Sequence, residues 1–172
     1  EHMGEKLAEK VSALIPDLKW QTEFKFGADS ETVDLPFRAF TEDEIKGTIK
    51  GAQRFIAPKI YDDGMPELCE KITTRNTNKA EVQAIYIGNY VYIGIPAEYF
   101  VEHGLRIKEE LYPKPAWAVG HANGMVGSVP TRSAFERGGY ETTFAGSSKL
   151  AADAGDILAD TAIALVQKIY KN

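Results

Sequence analysis

Cysteine is nearly absent from this 172-residue chain. Cys69 stands alone, which excludes an intrachain disulfide and leaves the redox compartment open. Histidine is scarce as well: the three residues are His2, His103 and His121. No His-x-Glu-x-x-His or Cys-x-x-Cys spacing occurs, so the chain by itself cannot complete a zinc tetrahedron. No apolar run reaches the roughly 18 residues that a membrane helix needs, and no secretory apolar stretch is present. An excess of basic charge is also missing. Lys and Arg number 20 against 25 Asp and Glu, a net charge of −5 that offers no field for nucleic acid. Internal repeats and low-complexity tracts are absent.

What remains is 44% hydrophobic, enough at this length to bury one core, so a single domain is expected. Glu1-His2-Met3 reads as a cloning remnant before Gly4, leaving residues 4–172 as that domain. The chain is accordingly expected to be a piece of something longer.

Leu7, Val11, Leu14 and Ile15 recur at helical spacing, and Pro16 closes that run. Alternation from Trp20 to Phe26 predicts a strand, Asp29–Glu31 a turn, and Val33–Phe40 a second extended piece broken by Pro36. Thr41 followed by Glu44 is a capping-box pattern opening a helix to about Phe55. Pro58–Asn78, rich in turn formers, reads as a long surface excursion with a helical turn near Pro66–Lys71. Glu81–Ile87, the turn Gly88-Asn89 and Tyr90–Ile95 form the best hairpin. A helix from Tyr99 to Leu111 follows, stopped by Pro113 and Pro115, then a short strand at Ala116–Val119. The last helix, about Asp153–Tyr170, buries a stripe of Leu158, Ala162, Leu165 and Ile169. Hairpins mixed with helices imply an α/β or α+β layered fold with a mixed sheet and packed helices.

Chemistry is concentrated between Ile95 and Tyr140. Glu98 follows an apolar strand and Pro96 where chain leaves sheet for helix, a position that often carries sites. It reads either as a ligand carboxylate or as a solvated first-turn glutamate favoured by the helix dipole. His103 lies five residues on, off the face of Glu98, and reads as a surface or packing residue. His121, beside Gly120 and Asn123, reads as a hydrogen-bonded structural residue that could line a pocket. Ser128 lacks the glycines two residues before and two after that a nucleophile elbow needs, and reads as a turn serine. Tyr140, after Gly138-Gly139, is either an oxyanion donor or a half-buried core tyrosine.

Taken in order, Thr32–Arg38, Glu81–Gly88, Tyr92–Phe100, Asn123–Glu141 and Ser148–Gly155 resemble successive segments of one catalytic domain, that of the neutral/alkaline non-lysosomal ceramidase family. The resemblance covers most of the chain from Thr32 and corresponds to the C-terminal half of that domain. It implies hydrolysis of the amide of ceramide to sphingosine and a fatty acid. It also implies zinc held by two histidines from the earlier half, then by a Glu and a Tyr from this one. The ligand Glu matches Glu98. The ligand Tyr falls on Ser128, a departure that leaves three ligands or weakens the metal site. The family's second Tyr, which polarises the amide carbonyl, matches Tyr140.

The mechanism so implied is attack by a zinc-bound hydroxide, with Tyr140 stabilising the tetrahedral oxyanion and Glu98 serving as ligand rather than base. This expectation concerns a longer parent protein. The isolated chain is expected to hydrolyse nothing and to bind zinc feebly at best. A metal-free ceramidase-like binding or structural module is the alternative, and Ser128 is the feature that favours it. Expected partners are a lipid amide or other small amide substrate and the missing N-terminal half. A homodimer would hide the apolar face that half should cover. The resemblance also favours a periplasmic or secreted location.

Overall fold

The computed structural model describes residues 2–49, 54 and 57–170. Its main sheet has four strands in the order β1 (Phe26–Pro36), β2 (Thr77–Ile87), β3 (Tyr90–Gly94), β5 (Ala116–Val119). The first three are antiparallel neighbours, and β5 runs parallel to β3. Between β3 and β5 the chain makes a two-residue strand β4 (Glu98–Tyr99) and helix α4 (Val101–Leu111), a β-α-β crossover. Strand β4 pairs in parallel with β6 (Ser128–Val129), a separate two-stranded ladder. The fold is mixed α/β with helices packed on a mixed sheet.

The core lies between one face of this sheet and α4 together with α6 (Ala154–Ile169), which the short helix α5 (Arg132–Arg137) precedes in the chain. Strand alternation sends Ala80, Val82, Ala84, Val91 and Ile93 to that side. Helical spacing sends Leu158, Ala162, Leu165 and Ile169 to meet them, and all four are buried. Arg106 of α4 pairs with Asp160 and, at 3.6 Å, with Asp156 of α6, clasping the two helices at their exposed edge.

Three local expectations are corrected. No strand covers Trp20–Lys25; Trp20 is 88% exposed and β1 begins only at Phe26. Asp29–Glu31 is strand interior rather than a turn, because an unbroken antiparallel register with β2 runs from Phe26 to Pro36. Asp29 is accommodated there by Lys168 of α6, whose Nζ donates to its Oδ2 at 2.7 Å. Finally, most of the expected surface excursion is helix α3 (Pro58–Arg75). Pro58 sits in its first turn, where the missing N–H costs nothing, and Met65, Leu68 and Ile72 bury one stripe against Phe144.

Helix α1 (His2–Leu14) continues into a 3₁₀ turn at Ile15–Asp17 carrying Pro16. The capping box forms: Glu44 N donates to Thr41 Oγ1 at 3.2 Å, and Thr41 N donates to Glu44 Oε2 at 2.9 Å. The helix it opens, α2, spans only Glu42–Lys46 and ends at Gly47, whose φ of 67° is left-handed. This is a fourth correction: the expected helix to about Phe55 is not continued at Gly47, Thr48, Ile49 or Arg54, and residues 50–53 and 55 lie outside the described residues.

Candidate functional site

Strand β3 delivers the chain to Ile95-Pro96-Ala97, all buried, and then to Glu98. Glu98 N donates to Gly127 O at 3.0 Å and Phe100 N to Val129 O at 3.3 Å, fixing a parallel register in which Glu98 stands beside Ser128. Partners in register point to the same side of a ladder, so the two side chains meet: Ser128 Oγ donates to Glu98 Oε2 at 2.5 Å. Ser128 is 3% exposed, whereas the glutamate is exposed. The result is a carboxylate at the surface gripped from below by a dry hydroxyl.

Ser128 is itself held on its other side, its N–H donating to Ser147 O at 2.6 Å. That approach explains Gly127. Its φ is 104°, and a Cβ there would collide with the Ser147 carbonyl.

Tyr140 opens a 3₁₀ turn, Tyr140–Thr142, that lies against β6. Thr142 and Thr143 hydroxyls both donate to Gly139 O, at 3.2 and 3.0 Å, and Ser148 Oγ donates to Glu141 O at 2.6 Å. Arg38 clamps the turn from outside. Its Nη1 donates to Thr142 O at 2.9 Å while Nη2 pairs with Glu44. The guanidinium sits 5.3 Å from the Phe135 ring centroid and 5.6 Å from that of Phe144. Tyr140, 48% exposed, stands on the rim of a cleft of 370 Å³ shared with Tyr61, Met65, Ala145 and Ser147.

Glu98 and Ser128, far apart in sequence, thus meet across the small ladder, and the turn that Tyr140 opens lies against β6, while Tyr140 itself lines a cleft that neither Glu98 nor Ser128 lines. The histidines do not join them as donors. His103 is buried in packing, stacked on Tyr99 with centroids 4.9 Å apart, its Nε2 3.4 Å from Pro130 O. Tyr99 donates its hydroxyl to Gly155 O at 2.7 Å, and burial pushes its phenol well above the ordinary range. His121 has φ 57° and an exposed side chain, and its backbone N–H donates to Ala97 O at 3.1 Å.

Sequence reasoning missed Lys149. Its ammonium is buried and donates to Val126 O at 2.5 Å and Gly146 O at 2.7 Å, tying the segment before Ser128 to the loop that faces it. Burial lowers its pKa to about 8, and the charge of Lys71 acts in the same direction. A lysine between Ser148 and Leu150 carries no local signal of this role, since the Val126 carbonyl that it reaches lies 23 residues away.

Two solved structures similar to this chain are ceramidases. One is the crystal structure of neutral ceramidase from Pseudomonas aeruginosa, 20% identical with a TM-score of 0.49, matched over 84% of this chain and 29% of that one. Another is a ceramidase complexed with C2, 17% identical with a TM-score of 0.46, matched over 83% of this chain and 30% of that one. The chain therefore spans less than a third of either ceramidase. No family model matches it, and no curated protein matches it.

Zinc is a poor fit to the donors gathered here. Glu98 and Ser128 supply one carboxylate and one neutral hydroxyl, and the hydroxyl's proton is already committed to the carboxylate. Among the described residues no group of three or more His, Cys, Asp or Glu is placed to hold a metal ion.

Proposed function

We propose that this chain, as one domain over residues 4–172, carries part of the site of a ceramidase-like amide hydrolase acting on an N-acyl lipid amide or a related small amide. The observation that supports the reading is convergence. Glu98 and Ser128 lie thirty residues apart and are hydrogen-bonded side by side, and the turn that opens with Tyr140 packs against the strand that carries Ser128. Tyr140 would donate its hydroxyl to the developing oxyanion of the amide, which is worth most where water is excluded. Glu98 would present a fixed acceptor oriented by Ser128. Zinc belongs to this reading only in a longer protein that adds histidine donors to Glu98; the chain alone is inactive.

The test is metal content and amide hydrolysis in a longer protein that continues this chain toward its N-terminus. Stoichiometric zinc and ceramide hydrolysis, both lost in Glu98→Ala, support the hydrolase. Chelator-sensitive hydrolysis by the 172-residue chain itself would refute its dependence on outside donors. A second reading, a metal-free binding or structural module, is favoured by one feature: the buried Ser128 hydroxyl already engages Glu98. A longer protein without zinc that still binds N-acyl lipid would support it.

A further inference from the structure

Among the described residues, two apolar surfaces have no cover. The first is α1, none of whose residues is buried. Met3, Leu7, Val11 and Leu14 fall on one stripe and are 52–86% exposed. The second is the face of the main sheet turned away from α4 and α6. There Phe26 is 75% exposed, Tyr90 53%, Ile87 and Tyr92 43%, and Ile85 and Trp117 38%. These six adjoin because the register pairs Phe26 with Ile87, Ile87 with Tyr90, Ile85 with Tyr92, and Tyr92 with Trp117. The Trp117 ring lies 5.8 and 5.6 Å from those of Tyr90 and Tyr92. The six are all apolar or aromatic, and Lys19 and Glu23 border the patch at the β2–β3 turn. Contiguous apolar surface of this kind on a soluble domain marks a contact site.

We propose that this sheet face is the seat of a second copy of the chain, whose α1 lies across it, in a reciprocal exchange of N-terminal helices. The dimensions agree. A 13-residue helix is about 20 Å long, and four strands at about 4.8 Å spacing span roughly 15–19 Å. A helix stripe laid on a sheet face is also the ordinary way such surfaces are buried. With large apolar side chains at 150–250 Å² each, partly exposed, either surface offers on the order of 500 Å². Two reciprocal docks then bury roughly 2,000 Å², the size of a stable interface.

The linker decides between own sheet and partner sheet. Lys25 O accepts from Gly88 N at 2.7 Å, and Lys19, Trp20 and Phe24 form a cleft with Ile87, Gly88 and Tyr90 at the β2–β3 turn. The root of the arm is fixed to the end of its own sheet, and α1 packs away from the core. An arm anchored at its root with its apolar stripe free is the arrangement by which identical protomers exchange elements.

The test is light scattering coupled to size exclusion on the 172-residue chain and on two variants, Leu7→Asp/Val11→Asp and Tyr92→Asp. The wild type should be a dimer. Either variant should weaken dimerisation at least about a hundredfold, since each inserts charge where apolar burial is required. An equimolar mixture of the two variants should form heterodimers, because one helix and one sheet face remain intact. Unchanged far-UV circular dichroism in the helix variant, whose substitutions lie outside the folded body, keeps the comparison clean. A monomeric wild type at high concentration would overturn the proposal, including the case in which α1 folds back on its own sheet. So would a dimer indifferent to both variants.

Discussion

Ser128 Oγ lies 2.5 Å from Glu98 Oε2, across a parallel ladder only two residues long on each side. The pair is asymmetric in burial: the donor is dry and the acceptor is wet. Such a bond orients the carboxylate at little cost in desolvation, since water still solvates the acid. It also makes the serine hydroxyl depend on that carboxylate for its own satisfaction.

Removing either member should therefore have unequal effects. Ser128→Ala loses a hydrogen bond to a charged group whose carboxylate can turn to water, so a cost of about 1 kcal/mol is expected. Glu98→Leu strands the buried Ser128 hydroxyl and should cost more, about 2 kcal/mol. Urea denaturation of both variants measures the difference. Equal costs would mean that the pair does not orient the carboxylate.

Gly155 and His103 make the second case. Glycine to alanine in a helix ordinarily stabilises by roughly 1 kcal/mol. Here a Cβ on Gly155 would overlap the His103 ring, which is buried and stacked on Tyr99 and so has nowhere to retreat. Gly155→Ala should destabilise, by about 1–3 kcal/mol. In the background of His103→Ala the same substitution should be close to neutral or favourable. A double-mutant cycle by thermal denaturation reads the coupling directly.

How far these relationships could be read in the sequence depended on how local their cause was. The β2–β3 hairpin, β5, the capping box at Thr41 and the stripe of α6 follow from spacing and turn chemistry within a dozen residues, and each appears where expected. Helix α3 did not, because Pro58, Gly64 and Pro66 look like breakers locally. Its stability comes from Met65, Leu68 and Ile72 meeting Phe144, about seventy residues away. Asp29–Glu31 failed for the same reason: its strand state is imposed by β2 and by Lys168. At the site, Glu98 stood out as a strand-end carboxylate. Its hydrogen bond with Ser128 did not, since a two-residue parallel ladder leaves no periodic trace. Lys149 was silent.

Arg38 should hold the Tyr140 turn by shape as well as charge. Its guanidinium donates to Thr142 O, pairs with Glu44 and faces the Phe135 and Phe144 rings together. Arg38→Lys keeps the charge but cannot serve two acceptors in one plane while stacking on aromatic faces. A loss of about 1–2 kcal/mol is expected, larger than for an exposed ion pair. Backbone amide exchange at Thr142 and Thr143 should accelerate in the variant more than exchange in β2. Uniform acceleration would assign Arg38 a global role instead.

Lys149 should leave a signature in the pH dependence of stability. Burial draws the folded amine down to about 8, while the unfolded lysine titrates near its ordinary value of about 10.4. Between those values the unfolded chain binds more protons than the folded one, so unfolding free energy rises with pH across the window. Below about pH 8 both states are protonated and the penalty of the buried ammonium is fully present. Above about pH 10.4 both are neutral and it is relieved. Lys149→Met removes the titration, together with the donors to Val126 O and Gly146 O, so its stability should be lower overall and flatter from pH 8 to 10.4. Chemical denaturation at intervals over that range, wild type against variant, yields the difference slope. A positive slope in the wild type that disappears in the variant is the expected result. Parallel curves would mean that the ammonium is solvated, and that the clasp between the Val126 and Gly146 segments is looser than its hydrogen-bond lengths imply.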